Sequence, residues 1–321
     1  MNDLDRVGLS SLAAELGASV RLNEPMSRHT AMRVGGPADM LVVCEAVDDL
    51  ISAVNLAREY GVPWRVLGGG CNVLVSDSGL RGLVLVNKAA AVEVEGYSIR
   101  AEAGGPLMAL AREAVGQGLA GMTWATGLPG SVGGAIVGNA GAFEGDIAGA
   151  LTSAMVLRSD GVVVECPADW FEFGYRSSRL KRGATAEGHV VLSGRFDLEP
   201  GDSQELTTRA AEIQDWRQTR HPAGATMGST FKNPPGSHAG YLIEQAGLRG
   251  YRIGGAEISH LHGNFIMNTG GATAVDVLSL IAFARETVHH RFGVDLELEI
   301  EVLGECVGVS PAVLTDVEVT G

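Results

Sequence analysis

The chain has 321 residues, of which 45% are apolar and 19% charged, the length of two domains or three small ones and the balance of a folded protein. No run approaches about eighteen apolar residues, which excludes a bilayer-spanning helix. Asp and Glu number 38 against 24 Lys and Arg, a net charge of −14, so the summed field repels phosphate backbones and excludes a general nucleic-acid binder.

From Met40 to Cys44 the sequence reads as a buried strand, and Val47, Leu50, Ile51 and Val54 then recur at helical spacing through Tyr60. Trp64 to Leu67, Val73 to Val75 and Leu83 to Val86 are short apolar runs that predict strands, with a glycine loop after the first. Ala91 to Glu95 and Ser98 to Ala103 predict two more, and Pro106 opens a helix through Val115 as a first helical residue. Gly127 to Gly145 is so rich in glycine that it predicts a specialised backbone surface without helical or strand period. Strands return at Ala154 to Arg158, Val162 to Glu165 and His189 to Asp197. Glu199 to Asp202 breaks the composition, which places a domain boundary near residue 200. Beyond it come a polar helix from Ser203 to about Arg217 and a helix from Ala274 to Arg291. Thr273 and Asp276 stand before that helix in capping-box spacing, and Val277, Ile281, Ala284 and Val288 form one stripe. Leu296 to Leu303 predicts a closing strand, and residues 306–321 a tail.

Cys44, Cys71, Cys166 and Cys306 lack the paired spacing of a zinc site or redox dithiol, and His260 with His262 have no third ligand nearby, so no metal is expected. The first dozen residues lack the basic-then-apolar block of a secretory signal, which makes the cytoplasm the default location. A G-x-G-x-x-G at Gly116, Gly118 and Gly121 follows a helical pattern instead of a strand, and no phosphate-loop motif exists, so a different cradle is needed. At Gly68, Gly69 and Gly70 the amide groups can approach an anion directly, with Asn72 as a side-chain donor at the rim. Each glycine cluster alone could be a tight turn; together they favour a long ligand with a diphosphate and a flat ring.

These residues resemble a known family. HTAMRVGG at His29 to Gly36, LGGGCNVL at Leu67 to Leu74, GLPGSVGGA at Gly127 to Ala135, NAGAF at Asn139 to Phe143, YRSS, GSTFKNP, RIGGAEIS, HGNFIMN and LELEIEVLGE are similar to the UDP-N-acetylenolpyruvoylglucosamine reductases, or UDP-N-acetylmuramate dehydrogenases, of bacterial cell-wall synthesis. The resemblance implies an α+β fold: two FAD-binding subdomains of the vanillyl-alcohol-oxidase (PCMH) type, at 1–86 and 87–199, then an α+β substrate-binding domain at 200–305. It implies noncovalent FAD held by the two glycine segments, at Gly68, Gly69, Gly70, Cys71 and Asn72 and at Gly127, Pro129, Gly130, Ser131, Gly133, Gly134 and Asn139. NADPH would be the reductant and a UDP-sugar the substrate, with Tyr175, Lys232, Asn233, His262 and Asn264 as candidate substrate contacts. The short step from Arg176 to Ser229 looks like the compact subgroup of the family. The oligomeric state stays open.

The family's reacting arginine, serine and glutamate match Arg176, Ser229 and Glu299. Glu297, Glu299 and Glu301 alternate, so on a strand they share a face and neither direction nor residue type separates them. The implied reaction adds hydride to the vinyl group of an enolpyruvyl ether, and the charge that develops beside the carboxylate calls for a cation and an acid. Arg176 suits the first task and Ser229 the second, with Glu299 assisting. Ser229 and Lys232 also form S-x-x-K, but the partner motifs of acyl-enzyme chemistry are missing. Arg217 and Arg220 could face a diphosphate or form the solvated basic end of the polar helix. The competing readings are a flavin oxidoreductase of the same fold with another substrate, and a non-catalytic paralogue that binds flavin or UDP-sugar.

Overall fold

Alternation of apolar residues with period two, interrupted by two long helical patterns, governs how the backbone pairs. The computed structural model describes residues 3–184 and 188–306; beyond Cys306 the expected tail lies outside the described residues. The chain forms two compact units that interleave along the sequence. One comprises the stretch to Val20, Val42–Gly69 and Leu83–Arg217, the other Arg21–Leu41, Gly70–Gly82 and Gln218 onward. The boundary read near residue 200 therefore falls inside the first unit.

In the first unit the strands Trp64–Leu67 and Leu80–Asn87 run parallel, with Trp64 opposite Leu83 and Leu67 opposite Val86. The connecting geometry rests on the helix Val47–Glu59, which buries Leu50, Ala53, Val54 and Ala57 on one stripe. A five-stranded antiparallel sheet follows, in the order Val163–Pro167, Ser153–Leu157, Val190–Asp197, Ser98–Glu102, Val92–Glu95. Its inner face, with Ile99, Val156 and Phe196, shares a core with Leu110 and Ile136 of the helices Leu107–Gly116 and Val132–Gly138. Each such fully buried side chain contributes about 1.5–3 kcal/mol.

Two expectations change here. Pro106 precedes the helix rather than opening it: its ψ of 128° is extended, and it bridges to Ser131. The glycine-rich stretch 127–145 is not featureless either. Ser131 caps the helix Val132–Gly138 by accepting from the Gly134 N–H at 3.2 Å, Asn139 ends it in the left-handed region at φ 44°, and Gly141–Ala142 pairs with Gly145–Asp146.

In the second unit an antiparallel sheet runs in the order Thr226–Ser229, Phe265–Asn268, Ala256–Ile258, Arg252–Ile253. The helix Ala274–Phe292 packs on it through Val277, Ile281, Ala284 and Val288. The expected capping box is present: Asp276 N–H donates to Thr273 Oγ1 at 3.1 Å and Thr273 N–H to Asp276 Oδ2 at 3.0 Å. The closing strand is shorter than expected. Leu296, Leu298, Ile300 and Val302 do alternate into the core, but only Glu301–Leu303 forms a ladder, parallel to Val73–Val75. The preceding residues meet a single bridge, Phe231 to Leu298, because no longer strand lies beside them.

Candidate active site

Within the first unit the two glycine segments meet. A Cβ on Gly68 would lie 2.1 Å from Ser131 Oγ, so the loop after Trp64–Leu67 reaches the cap of the short helix only because position 68 has no side chain. The amides at the start of that helix are already bonded, Val132 N–H to Gly105 O and Gly133 N–H to Ala103 O, both at 2.8 Å. Gly133 gives close packing, with Ala103 Cβ 2.9 Å from its Cβ position. Gly133 and Gly134 therefore serve packing and capping in this fold. Gly130 differs: it has φ +120° and open space within 4 Å of its Cβ position. Pro129 beside it is exposed.

Asn139 was expected among the cofactor contacts, but its buried amide is occupied within the fold. Nδ2 donates to Gly174 O at 2.9 Å and Asp146 Oδ2 at 3.2 Å, and Oδ1 accepts from Ala148 N–H at 3.0 Å. That amide holds a turn. Gly174 and Ser177 exchange backbone hydrogen bonds of 2.9 and 3.1 Å, which places Arg176 third in a tight turn at φ 53°, a position that favours glycine. Its Nη2 donates to Gly141 O at 2.5 Å, and its guanidinium lies over the exposed Tyr175 ring at 5.2 Å. A long cation held in a strained backbone, by a loop that is itself clamped, has the features of a functional position.

Arg217 was read alternatively as a solvated helix end, and the structure corrects this. Its residue exposure is 8%, and its Nε and Nη2 are buried without a hydrogen-bond partner among the described residues. The guanidinium stands 5.3 Å from the Phe143 ring centroid, Trp216 meets that ring edge-on at 5.1 Å, and a Cβ on Gly127 would lie 3.2 Å from Arg217 Cδ. Burial, reinforced by the charge of Arg176, pushes the guanidinium pKa down. A buried charge without a counter-charge is costly, so this site is built for an anion that the fold does not supply. Arg220 is exposed.

In the second unit Gly70, at φ +62°, has His29 O only 2.1 Å from its Cβ position, and Cys71 is half-buried. Asn72 is tied to the extended C-terminal stretch: its Nδ2 donates to Glu299 O at 3.1 Å and its carbonyl accepts from Glu301 N–H at 2.9 Å. Ser229 and Glu299 lie on neighbouring chains, since Thr230 O accepts from Glu299 N–H at 2.9 Å. The Ser229 hydroxyl makes no hydrogen bond among the described residues. One of the three glutamates is set apart. Glu297 is ion-paired with Lys232, and the backbone of Glu299 lies beside that of Thr230. Asn233 Oδ1 accepts from Ala239 N–H at 3.1 Å, at the start of the helix Ala239–Gln245. His262 packs edge-on against His221 and Phe265; burial, with the Arg249 charge, pushes its pKa below the ordinary value. Asn264, expected to touch substrate, instead has both amide atoms on the backbone of Phe231.

Gly130 with open space at its Cβ position, and Gly127 packed on the buried Arg217 whose Nε and Nη2 have no hydrogen-bond partner among the described residues, give the first unit the features of a site for an anionic ligand. An FAD binding domain model matches residues 38–167, and the model of the UDP-N-acetylenolpyruvoylglucosamine reductase C-terminal domain matches residues 219–303. The chain is 43% identical over 296 residues to UDP-N-acetylenolpyruvoylglucosamine reductase 1 of Bacillus cereus, covering 91% of this chain and 97% of that one. It is 44% identical over 293 residues to the reductase of Chloroflexus aggregans, covering 90% and 99%. The crystal structure of UDP-N-acetylenolpyruvylglucosamine reductase from Thermus caldophilus matches with a TM-score of 0.74 and 36% identity over 88% of this chain and 97% of that one. The chain belongs to the UDP-N-acetylenolpyruvoylglucosamine reductase family. It is a flavoprotein oxidoreductase with FAD as cofactor and NADPH as reductant. The residues of the first unit fit that cofactor, because FAD brings the anionic groups that Arg217 lacks.

Proposed function

We propose that this chain reduces UDP-N-acetylglucosamine enolpyruvate to UDP-N-acetylmuramate, with Arg176, Ser229 and Glu299 as its reacting residues. FAD, when bound, supplies the hydride that NADPH donates and the vinyl group accepts. Gly68, Gly127, Gly130 and Arg217 would hold the cofactor. Arg176 grips the enolpyruvyl carboxylate and offsets the negative charge that develops next to it. Ser229 gives its proton to the adjacent carbon, and Glu299 stabilises the serine side of that transfer. Tyr175, Lys232, Asn233 and His262 are proposed to meet the UDP-sugar, Lys232 by exchanging its Glu297 partner for a phosphate. The three-segment division at 86 and 199 is proposed as a division of these tasks. Among the described residues no helix is long and apolar enough to cross a membrane, and the cytoplasm, where NADPH is supplied, is the proposed location.

The observation that carries this reading is the Thr230 O to Glu299 N–H bond of 2.9 Å, which sets Ser229 and Glu299 on adjacent stretches of backbone, while the Glu297 carboxylate is taken by Lys232. Ser229→Ala is expected to leave bleaching of the flavin by NADPH intact and to slow anaerobic recolouring by the enolpyruvyl substrate roughly a hundred- to ten-thousandfold, to a residual rate that is still measurable. Equal loss of both half-reactions in stopped-flow absorbance would refute the assignment.

A further inference from the structure

The segment that carries Ser229 lacks a strand on one side. Thr226 stands opposite Met267 and Ser229 opposite Phe265, with a register shift between them, so the ladder ends at the serine. The next residue, Thr230, still donates its N–H to Asn264 O at 2.8 Å, but past that point the partner chain turns away at His262 and Gly263. The bridge from Phe231 to Leu298 lies on its other edge, so without a substitute its buried N–H and C=O would face no peptide, a costly arrangement.

One side chain takes the place of that peptide. Asn264 Oδ1 accepts from Phe231 N–H at 2.9 Å, and Asn264 Nδ2 donates to Phe231 O at 2.8 Å, the two-point exchange of an antiparallel hydrogen-bonded pair. Asn264 is 4% exposed and Phe231 2%, so water cannot replace the amide. The turn that presents it is fixed in its own right, because Asn264 N–H donates to His262 Nδ1 at 3.2 Å. On their other edge residues 230–232 hold the extended stretch 297–299, through Thr230 O with Glu299 N–H and Lys232 N–H with Glu297 O, both at 2.9 Å. The Ser229 hydroxyl has no hydrogen bond of its own among the described residues, so the backbone fixes its Cα–Cβ direction and leaves the hydroxyl its staggered χ1 positions about that bond.

We propose that Asn264 is a positioning residue for proton transfer: its amide, acting as a surrogate peptide for Phe231, fixes the backbone that spaces Ser229 from Glu299. The proposal rests on the reading of Ser229 as the acid. The test separates the half-reactions of FAD-loaded protein in stopped-flow absorbance for Asn264→Ala, Ser229→Ala and the double variant. Asn264→Ala is expected to keep flavin bleaching by NADPH within about twofold and substrate Kd within about threefold, and to slow recolouring at saturating substrate roughly ten- to hundredfold. In the Ser229→Ala background the same change is expected to add less than about twofold, because its effect runs through the serine.

Recolouring at the wild-type rate, an equal loss in both backgrounds, or a loss confined to substrate Kd would each overturn the proposal, the last by making Asn264 a substrate contact. If Ser229→Ala recolours normally, the reading of the serine fails first and the clamp with it. Should Asn264→Ala not retain flavin, Asn264→Asp keeps the shape and one acceptor but lacks the donor. Its recolouring is expected to be slow at neutral pH and to recover as the introduced carboxyl is protonated at lower pH. A flat profile would sink the idea.

Discussion

Two helices of nearly equal length serve opposite ends. Ala274–Phe292 has 19 residues and buries seven of them, all apolar. Ser203–Arg220 has 18 and buries two, Ile213 and Arg217, one of which is a cation whose Nε and Nη2 have no hydrogen-bond partner among the described residues. Both have a well-made start, the first through its capping box and the second through Asp202 Oδ1, which accepts from Glu205 N–H at 2.9 Å. The difference lies in what each buried face is for. One face closes a core; the other presents a charge at a net cost to the fold, which is the pattern of stability given up where function requires it.

Core truncation should give the largest effect. Ile281→Ala removes a fully buried side chain and is expected to cost about 2–5 kcal/mol in urea unfolding of the protein, with little change in FAD affinity. Arg217→Met should act in the reverse sense. The apoprotein should be as stable as wild type or more so, while FAD binding weakens roughly ten- to hundredfold, as follows from about 1.5–3 kcal/mol for a hydrogen bond to a charged group. A flavin-quenching titration beside the same urea melt checks both; a destabilised apoprotein with unchanged FAD affinity would erase the contrast between the helices.

A smaller effect belongs to the cap. Thr273→Ala is expected to cost about 1 kcal/mol. Burial pushes the Asp276 carboxyl up, but hydrogen bonds from the Thr273 and Gly255 backbones, with a further contribution from the Thr273 side chain, outweigh it and hold the carboxyl below its ordinary value. A carboxyl lowered in the folded state stabilises above its unfolded pKa, about 4, and that contribution disappears as the pH falls through the folded value. The Tm gap between wild type and Asp276→Asn should hold steady near neutrality and close below about pH 4. A gap that stays open in acid would assign the effect to packing.

How much of this was legible depended on whether position or environment held the information. The Thr273 and Asp276 spacing and the stripe through Val288 are local, and they gave the long helix nearly to its ends. The alternation from Leu296 to Val302 is also local, but whether it becomes a ladder depends on Phe231, far away in sequence. The helix Val132–Gly138 was missed because seven residues with three glycines show no period; Ser131 before it and Asn139 after it were the signals, as cap residues. The burial of Arg217 had only one sign, that Ile213 stands four residues earlier on an otherwise polar helix. Nothing in the sequence says that the Asn264 amide faces a backbone rather than a ligand, since both partners need the same donor and acceptor.

The parallel ladder between Val73–Val75 and Glu301–Leu303 has a consequence for biogenesis. A chain leaving the ribosome can close its first unit once Arg217 has emerged, whereas the second must store Arg21–Leu41 and Gly70–Gly82 until translation delivers residue 303. Those early pieces can pair with each other, Arg21–Pro25 against Pro37–Leu41 and Ala31 N–H on Gly70 O, but the core that Met32, Val34 and Leu74 share with the later residues waits for them, so nascent-chain quality control has its longest window on the half that carries the serine.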